Sequence, residues 1–116
     1  VEAPNGAAFI AVDADGATQI VVAAGANAQA SAAALASLPL GEGDMLLLQR
    51  EVPEAECLKA ARRMKQAGGR VILNLAPAGP PDSALLGCLD MLVANEHEAL
   101  VLAQSLGWGE REPDDI

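Results

Sequence analysis

Aromatic side chains are nearly missing from this chain of 116 residues: one Phe, one Trp and no Tyr. Any core must therefore be built from Ala, Val, Leu and Ile. Basic residues are scarce too. Seven Lys and Arg stand against 16 Asp and Glu, a formal charge of −9. Such a surface repels phosphate backbones and anionic lipid headgroups, so neither nucleic acid nor a membrane surface is an expected partner. No apolar run approaches the ~20 residues that span a bilayer. No basic start followed by an apolar stretch marks a secretion signal. The two cysteines, Cys57 and Cys88, lie far apart and have no His or Cys neighbour at ligand spacing. They read as reduced core thiols, in keeping with a cytoplasmic protein. There is no initiating Met at Val1-Glu2-Ala3-Pro4, and the chain stops at Asp114-Asp115-Ile116. Both ends are expected to be cut.

What is present is apolar enough to fold. Hydrophobic residues make up 52% of the chain, which argues against disorder, and the length suits one domain. Residues 7–13 and 18–23 read as two strands joined by an Asp15-Gly16 turn, a hairpin. After Gly25-Ala26-Asn27, the Ala-rich stretch Ala28–Leu38 predicts a helix that Pro39 and Gly41 stop. The pattern then changes. Met45–Leu48, Val71–Leu73 and Met91–Val93 are short continuous apolar runs, as in strands buried on both faces. Between them lie a predicted helix from Pro53 to about Ala67, ended by Gly68-Gly69, a Pro-rich loop at 76–81, and a short helix near Ser83–Leu86. Asn95 caps a last helix to about Leu106. Strands alternating with helices predict an α/β layer with a parallel sheet, and the leading hairpin lies outside it as a flap or lid.

Ligands of parallel sheets bind beyond the carboxyl ends of the strands. Three strand ends here carry polar residues: Gln49-Arg50-Glu51, Asn74, and Asn95 with Glu98 one helical turn on. Their convergence on one edge is the main sign of a site. Each also has a plainer reading. Asn95-Glu96-His97-Glu98 fits a capping box, and Glu98 could in addition help hold a hydrated Mg²⁺. Glu51 either favours the helix N-terminus that follows or accepts hydrogen bonds from substrate hydroxyls. Asn74 suits a tie to the Pro-rich loop, Arg50 a solvated charge or an ion pair, and His97 an exposed first turn. Gly41-Glu42-Gly43-Asp44 looks like an anion loop, but a strand follows it rather than a helix, so it reads as a turn. Gly25-Ala26-Asn27 is a short and weak candidate phosphate loop.

Taken in order, the hairpin, Gly25-Ala26-Asn27, Leu47-Leu48-Gln49-Arg50-Glu51-Val52-Pro53, Asn74-Leu75-Ala76-Pro77-Ala78 and Asn95-Glu96-His97-Glu98-Ala99 resemble the middle of the ribokinase family, in the phosphofructokinase-B superfamily of carbohydrate kinases. The resemblance covers essentially the whole chain. It implies part of a Rossmann-like kinase fold, with residues 1–27 as a β-lid hairpin and its return and 28–116 as a partial α/β core. It implies transfer of the γ-phosphoryl group of ATP to a sugar hydroxyl, foremost the 5-hydroxyl of ribose, with Mg²⁺ and the family's use of a monovalent cation. Ala8, Ile10 and Val22 fall where the family places apolar lid contacts to the sugar, and Glu51 where a carboxylate binds its hydroxyls. Asn95 and Glu98 match the Asn-x-x-Glu motif that organises Mg²⁺ and ATP phosphates, Glu98 through water. Asn74 matches the Asn of Asn-Pro-x-Pro, with Leu75 in place of its first Pro. The lid implies a homodimer contact, for which the exposed edges of a lone hairpin are suited. The family's Gly-Gly-x-Gly-x-Asn sugar motif, its Gly-Ala-Gly-Asp segment with the catalytic base, and its adenine pocket do not occur in this sequence. The chain is therefore expected to be an inactive internal fragment. Two rivals are another sugar or nucleoside kinase of the superfamily and a non-catalytic acidic α/β binding module acting through the hairpin.

Overall fold

In the computed structural model, which describes residues 2–108, two separate sheets carry the chain. Val1 and the terminal Asp114-Asp115-Ile116 lie outside the described residues. The first sheet is the hairpin of β1 (Ala7–Val12) and β2 (Thr18–Ala23). Its register pairs Ala8 with Val22 and Ile10 with Ile20. The turn is built by Asp13, whose carboxylate accepts from the N–H groups of Asp15 and Ala17, both at 2.9 Å. That role takes Asp13 out of the strand expected to include it. Both faces of the hairpin are exposed, Phe9 at 73% on one and Ile10 at 62% on the other.

The second sheet is parallel. It consists of β3 (Met45–Leu48), β4 (Arg70–Asn74) and β5 (Met91–Val93), side by side in chain order. Helices α1 (Glu54–Gln66) and α2 (Ser83–Leu86) make the crossovers, and α3 (Glu96–Ser105) follows β5. Crossovers between parallel strands are right-handed, so strands added in one direction put every helix on one face. The core sits there: Cys57, Ala61 and Met64 of α1, Leu85 of α2 and Leu102 of α3 pack on Leu48, Val71 and Leu73. Small residues on α1 let helix and sheet approach closely, which is how a core without rings fills its volume. A Schellman pair ends α1, Gly69 N–H to Met64 O and Gly68 N–H to Lys65 O, each 3.1 Å.

The stretch 28–38 is a correction. It forms two 3₁₀ turns, Gly25–Gln29 and Ala32–Leu35, with Ala30 and Ser31 extended between them. Alanine is the best helix former, but propensity yields readily to tertiary contacts, and no apolar stripe reinforces it here. A tertiary contact wins instead: the Glu56 carboxylate on α1 accepts from the Ala32 N–H at 2.8 Å and from the Ser31 hydroxyl at 3.2 Å.

The opposite face of the parallel sheet is bare among the described residues. Leu47, Ile72 and Met91 lie in one row across the three strands. Leu47 is 70% and Met91 56% exposed. Parallel sheets are normally covered on both sides. The isolated chain should therefore bind a hydrophobic dye and self-associate, and Leu47→Lys should reduce both without lowering its melting temperature. Unchanged dye binding in L47K would place the adhesive surface elsewhere.

Asp90 fastens the amino ends of the strands. Its carboxylate accepts from the Val71 N–H at 2.7 Å and meets Lys65 Nζ at 2.6 Å. The Lys65 contact first, then the Val71 bond, holds its pKa below the ordinary 3.8. A carboxylate whose pKa falls on folding stabilises the native state above its unfolded pKa and loses that effect as pH falls through the folded value. Asp90→Asn should lower the melting temperature at pH 7 and flatten its decline below about pH 4. Melting curves between pH 2 and 7 check this; an unaltered slope would show that Asp90 does not contribute.

Candidate functional site

The carboxyl ends of β3, β4 and β5 share one edge of the sheet, because the strands are parallel and in register. Glu51 follows β3, Asn74 closes β4, and Asn95 with Glu98 follows β5. Across from β3, segment 4–6 and the return of the hairpin close a cleft of about 310 Å³, lined by Asn5, Gly6, Ala7, Ala8, Val22, Ala26, Asn27 and Glu51. Gly25 makes this wall possible. Its φ is +51°, and a Cβ there would come within 2.5 Å of the Pro4 carbonyl. The next residue, Ala26, donates its N–H to that same carbonyl at 2.8 Å. The candidate phosphate loop thus acts as a clasp between the hairpin's return and the strand leading into it.

The cleft offers one carboxylate, two amides and small apolar walls. Such a mixture suits a small uncharged ligand rich in hydroxyls: the carboxylate accepts, the amides donate and accept, and Ala8 and Val22 cover carbon. The structure brings Ala8, Val22 and Glu51 together here. Ile10 shares the face of Ala8 by strand alternation but sits farther out, 62% exposed, and does not line the cleft. Asn5 and Asn27 are lining residues that sequence reasoning did not assign to a ligand. Asn27 was visible as part of Gly25-Ala26-Asn27; Asn5 carried no signal of its own.

Asn95 and Glu98 form a second locus at the start of α3. The capping box is present: Asn95 Oδ1 accepts from the Glu98 N–H at 2.8 Å, and Glu98 Oε2 accepts from the Asn95 N–H at 2.9 Å. Glu98 is buried, 8% exposed, and among the described residues no hydrogen bond engages its Oε1. The plain reading therefore holds and leaves one carboxylate oxygen for another task. Among the described residues no group of three His, Cys, Asp or Glu could hold a metal ion. A single oxygen fits a hydrated Mg²⁺, which keeps several waters and takes one or two carboxylates beside phosphates. His97 is exposed.

Asn74 does not tie down the Pro-rich loop, since no hydrogen bond of its side chain occurs among the described residues. Arg50 does so instead, donating to the Pro77 carbonyl at 3.0 Å and the Pro80 carbonyl at 3.4 Å while pairing with Glu54 at 3.7 Å. Gly41–Asp44 is a turn: the Asp44 carboxylate accepts from the Gly41 N–H at 2.8 Å, and the Asp44 N–H returns to the Gly41 carbonyl at 3.0 Å. Both cysteines are free thiols, and burial raises the pKa of Cys57, with Glu54 adding to the effect. Cys57 is thus a core thiol rather than a nucleophile.

An antiparallel flap thus stands beside the carboxyl edge of a parallel α/β layer, with a small polar cleft between them, which places the chain among α/β proteins. Comparison with known proteins narrows the class. The pfkB family carbohydrate kinase model matches residues 1–115, and the chain belongs to that family. It is 36% identical over 100 residues to the ribokinase of Haemophilus influenzae, covering 84% of this chain and 33% of that protein. The Staphylococcus aureus ribokinase is 36% identical over 104 residues, covering 88% of this chain and 34% of its own length. A crystal structure of ribokinase from Thermotoga maritima superposes with a TM-score of 0.78 at 36% identity, over 93% of this chain and 35% of that one. The Arabidopsis thaliana ribokinase, complexed with ribose and ATP, gives a TM-score of 0.68 at 30% identity, over 89% of this chain and 34% of that one. The chain spans about a third of the length of the curated relatives it matches.

The capping box sets a stability expectation. Asn95→Ala should cost about 1 kcal/mol, while Asn95→Asp, which keeps an acceptor at the N-cap, should cost little. Denaturant unfolding of the three proteins checks it. Equal losses in both variants would show that the cap is not what Asn95 contributes.

Proposed function

We propose that the whole protein is an ATP-dependent sugar kinase that transfers the γ-phosphoryl group to a hydroxyl of a sugar, foremost the 5-hydroxyl of ribose. The observation that carries this reading is the cleft, where Glu51 faces Ala8 and Val22 beneath the hairpin. The Arabidopsis relative described as complexed with ribose and ATP supports the choice of ligands. In this reading Glu51 accepts hydrogen bonds from sugar hydroxyls, Ala8 and Val22 cover the carbon face, and the hairpin excludes water that would compete for the phosphoryl group. Asn95 and Glu98 orient phosphates and the waters of Mg²⁺, and Asn74 supports that edge. Mg²⁺·ATP, when bound, supplies the phosphoryl group and neutralises the charge spread over its oxygens. The hairpin's exposed apolar faces support a homodimer contact through the lid. The free thiols suit a cytoplasmic location, and no described helix is long and apolar enough to cross a membrane.

Steady-state kinetics on the whole protein with a panel of sugars test this. Ribose should give the highest kcat/KM. Glu51→Ala should raise the ribose KM roughly 10- to 100-fold, the usual worth of a hydrogen bond to a charged group. A preferred substrate other than ribose would shift the reading to another sugar kinase of the family. No ATP- and sugar-dependent turnover in the whole protein would favour a binding module. The 116-residue chain alone should show no turnover, since it lacks the Gly-Ala-Gly-Asp segment that carries the catalytic base in the family it resembles.

A further inference from the structure

Arg50 and Glu51 are neighbours that point to opposite sides of the chain as it leaves β3. Glu51 lines the cleft, while Arg50 lies in the seam between α1 and the Pro-rich loop, beside Val52, Glu54, Leu73 and Leu85. The guanidinium is the centre of a clasp. It donates to two carbonyls of that loop, Pro77 at 3.0 Å and Pro80 at 3.4 Å, and pairs with Glu54 at 3.7 Å. Glu54 in turn accepts from the Asp82 N–H at 3.2 Å, at the foot of α2. The backbone adds a further tie, Arg50 N–H to Ala76 O at 2.9 Å, one step beyond the last β3–β4 pair. Gly79 leaves the room: a Cβ there would stand 2.6 Å from Arg50 Nη1. Beyond this clasp, among the described residues Glu51 itself is held only through its N–H, which donates to Gln49 Oε1.

We propose that Arg50 is a positioning residue, which sets the place of the Glu51 carboxylate in the cleft by locking the end of β3 to loop 76–82. The proposal rests on the reading of Glu51 as a sugar contact. A planar guanidinium can bridge two carbonyls and a carboxylate at fixed angles, which a lysine ammonium on a flexible stem does not. Displacing a binding group by about 1 Å is enough to weaken its contact by an order of magnitude or more.

The test is a double-mutant cycle in the whole protein, with kcat and KM measured separately for ribose and for ATP. Arg50→Ala should raise the ribose KM about tenfold while leaving the ATP KM unchanged. Arg50→Lys should not restore it. In the background of Glu51→Ala, removing Arg50 should have no further effect on the ribose KM, because the group it positions is gone. A raised KM in E51A with an unchanged one in R50A overturns the positioning role alone. So does full additivity of the two substitutions. An unchanged ribose KM in E51A overturns the sugar-contact reading and this proposal with it. If R50A does not fold, Gly79→Ala decides, because its methyl displaces the guanidinium while the charge remains: a raised ribose KM with an unchanged ATP KM supports the clasp, and an unchanged ribose KM overturns it.

Discussion

Parallel alignment of β3, β4 and β5 in chain order is the constraint on which the other features rest. It brings the carboxyl ends of three strands to one edge, so that Glu51, Asn74 and Asn95 become neighbours in layout though distant in sequence. The same order, with crossovers of one hand, gathers α1, α2 and α3 on a single face. A sheet so built has one packed side and one bare side. The row Leu47, Ile72 and Met91 is the direct consequence. In a protein about three times as long, as the relatives are, further layers can cover that row.

The polar residues at the sheet edge carry structural duties that the hydrogen bonds make visible. Glu98 closes the capping box with one oxygen, and among the described residues its other oxygen accepts no hydrogen bond. Asn95 spends its side-chain acceptor on the first turn of α3. A residue so anchored is stiff, and stiffness is what a phosphate or metal-water contact requires. Arg50 and Glu51 divide the duties differently: one side chain holds the loop and its neighbour faces the cleft.

Much of the layout was legible because it is local. Short apolar runs bounded by Gly and Pro marked β3, β4 and β5, and Asn95 with Glu98 three residues on marked the start of α3. Asp15-Gly16 marked the hairpin turn, though not the part Asp13 plays in it. The missed parts are those in which distant groups compete. Ala28–Leu38 read as helix because alanine favours helix, but Glu56 on α1 captured the Ala32 N–H and broke the run. Asn74 looked suited to hold the Pro-rich loop by sequence proximity, yet Arg50, 27 residues from Pro77, reaches it. Ile10 shared a pattern with Ala8 and Val22, but distance along the hairpin leaves it outside the cleft.

By itself, then, the amino-acid sequence determined the hairpin, the three parallel strands, α1 to α3 and the capping box, because each depends on residues within a few positions of one another, and the order of its short motifs carried the family resemblance. The tertiary structure alone decided which of these residues share a space: that Asn5 and Asn27 join Glu51, that Arg50 rather than Asn74 pins the loop, and that one face of the sheet lies open. Those outcomes depend on how far apart in space two distant segments come to rest, and that distance is set only when the sheet and its helices pack.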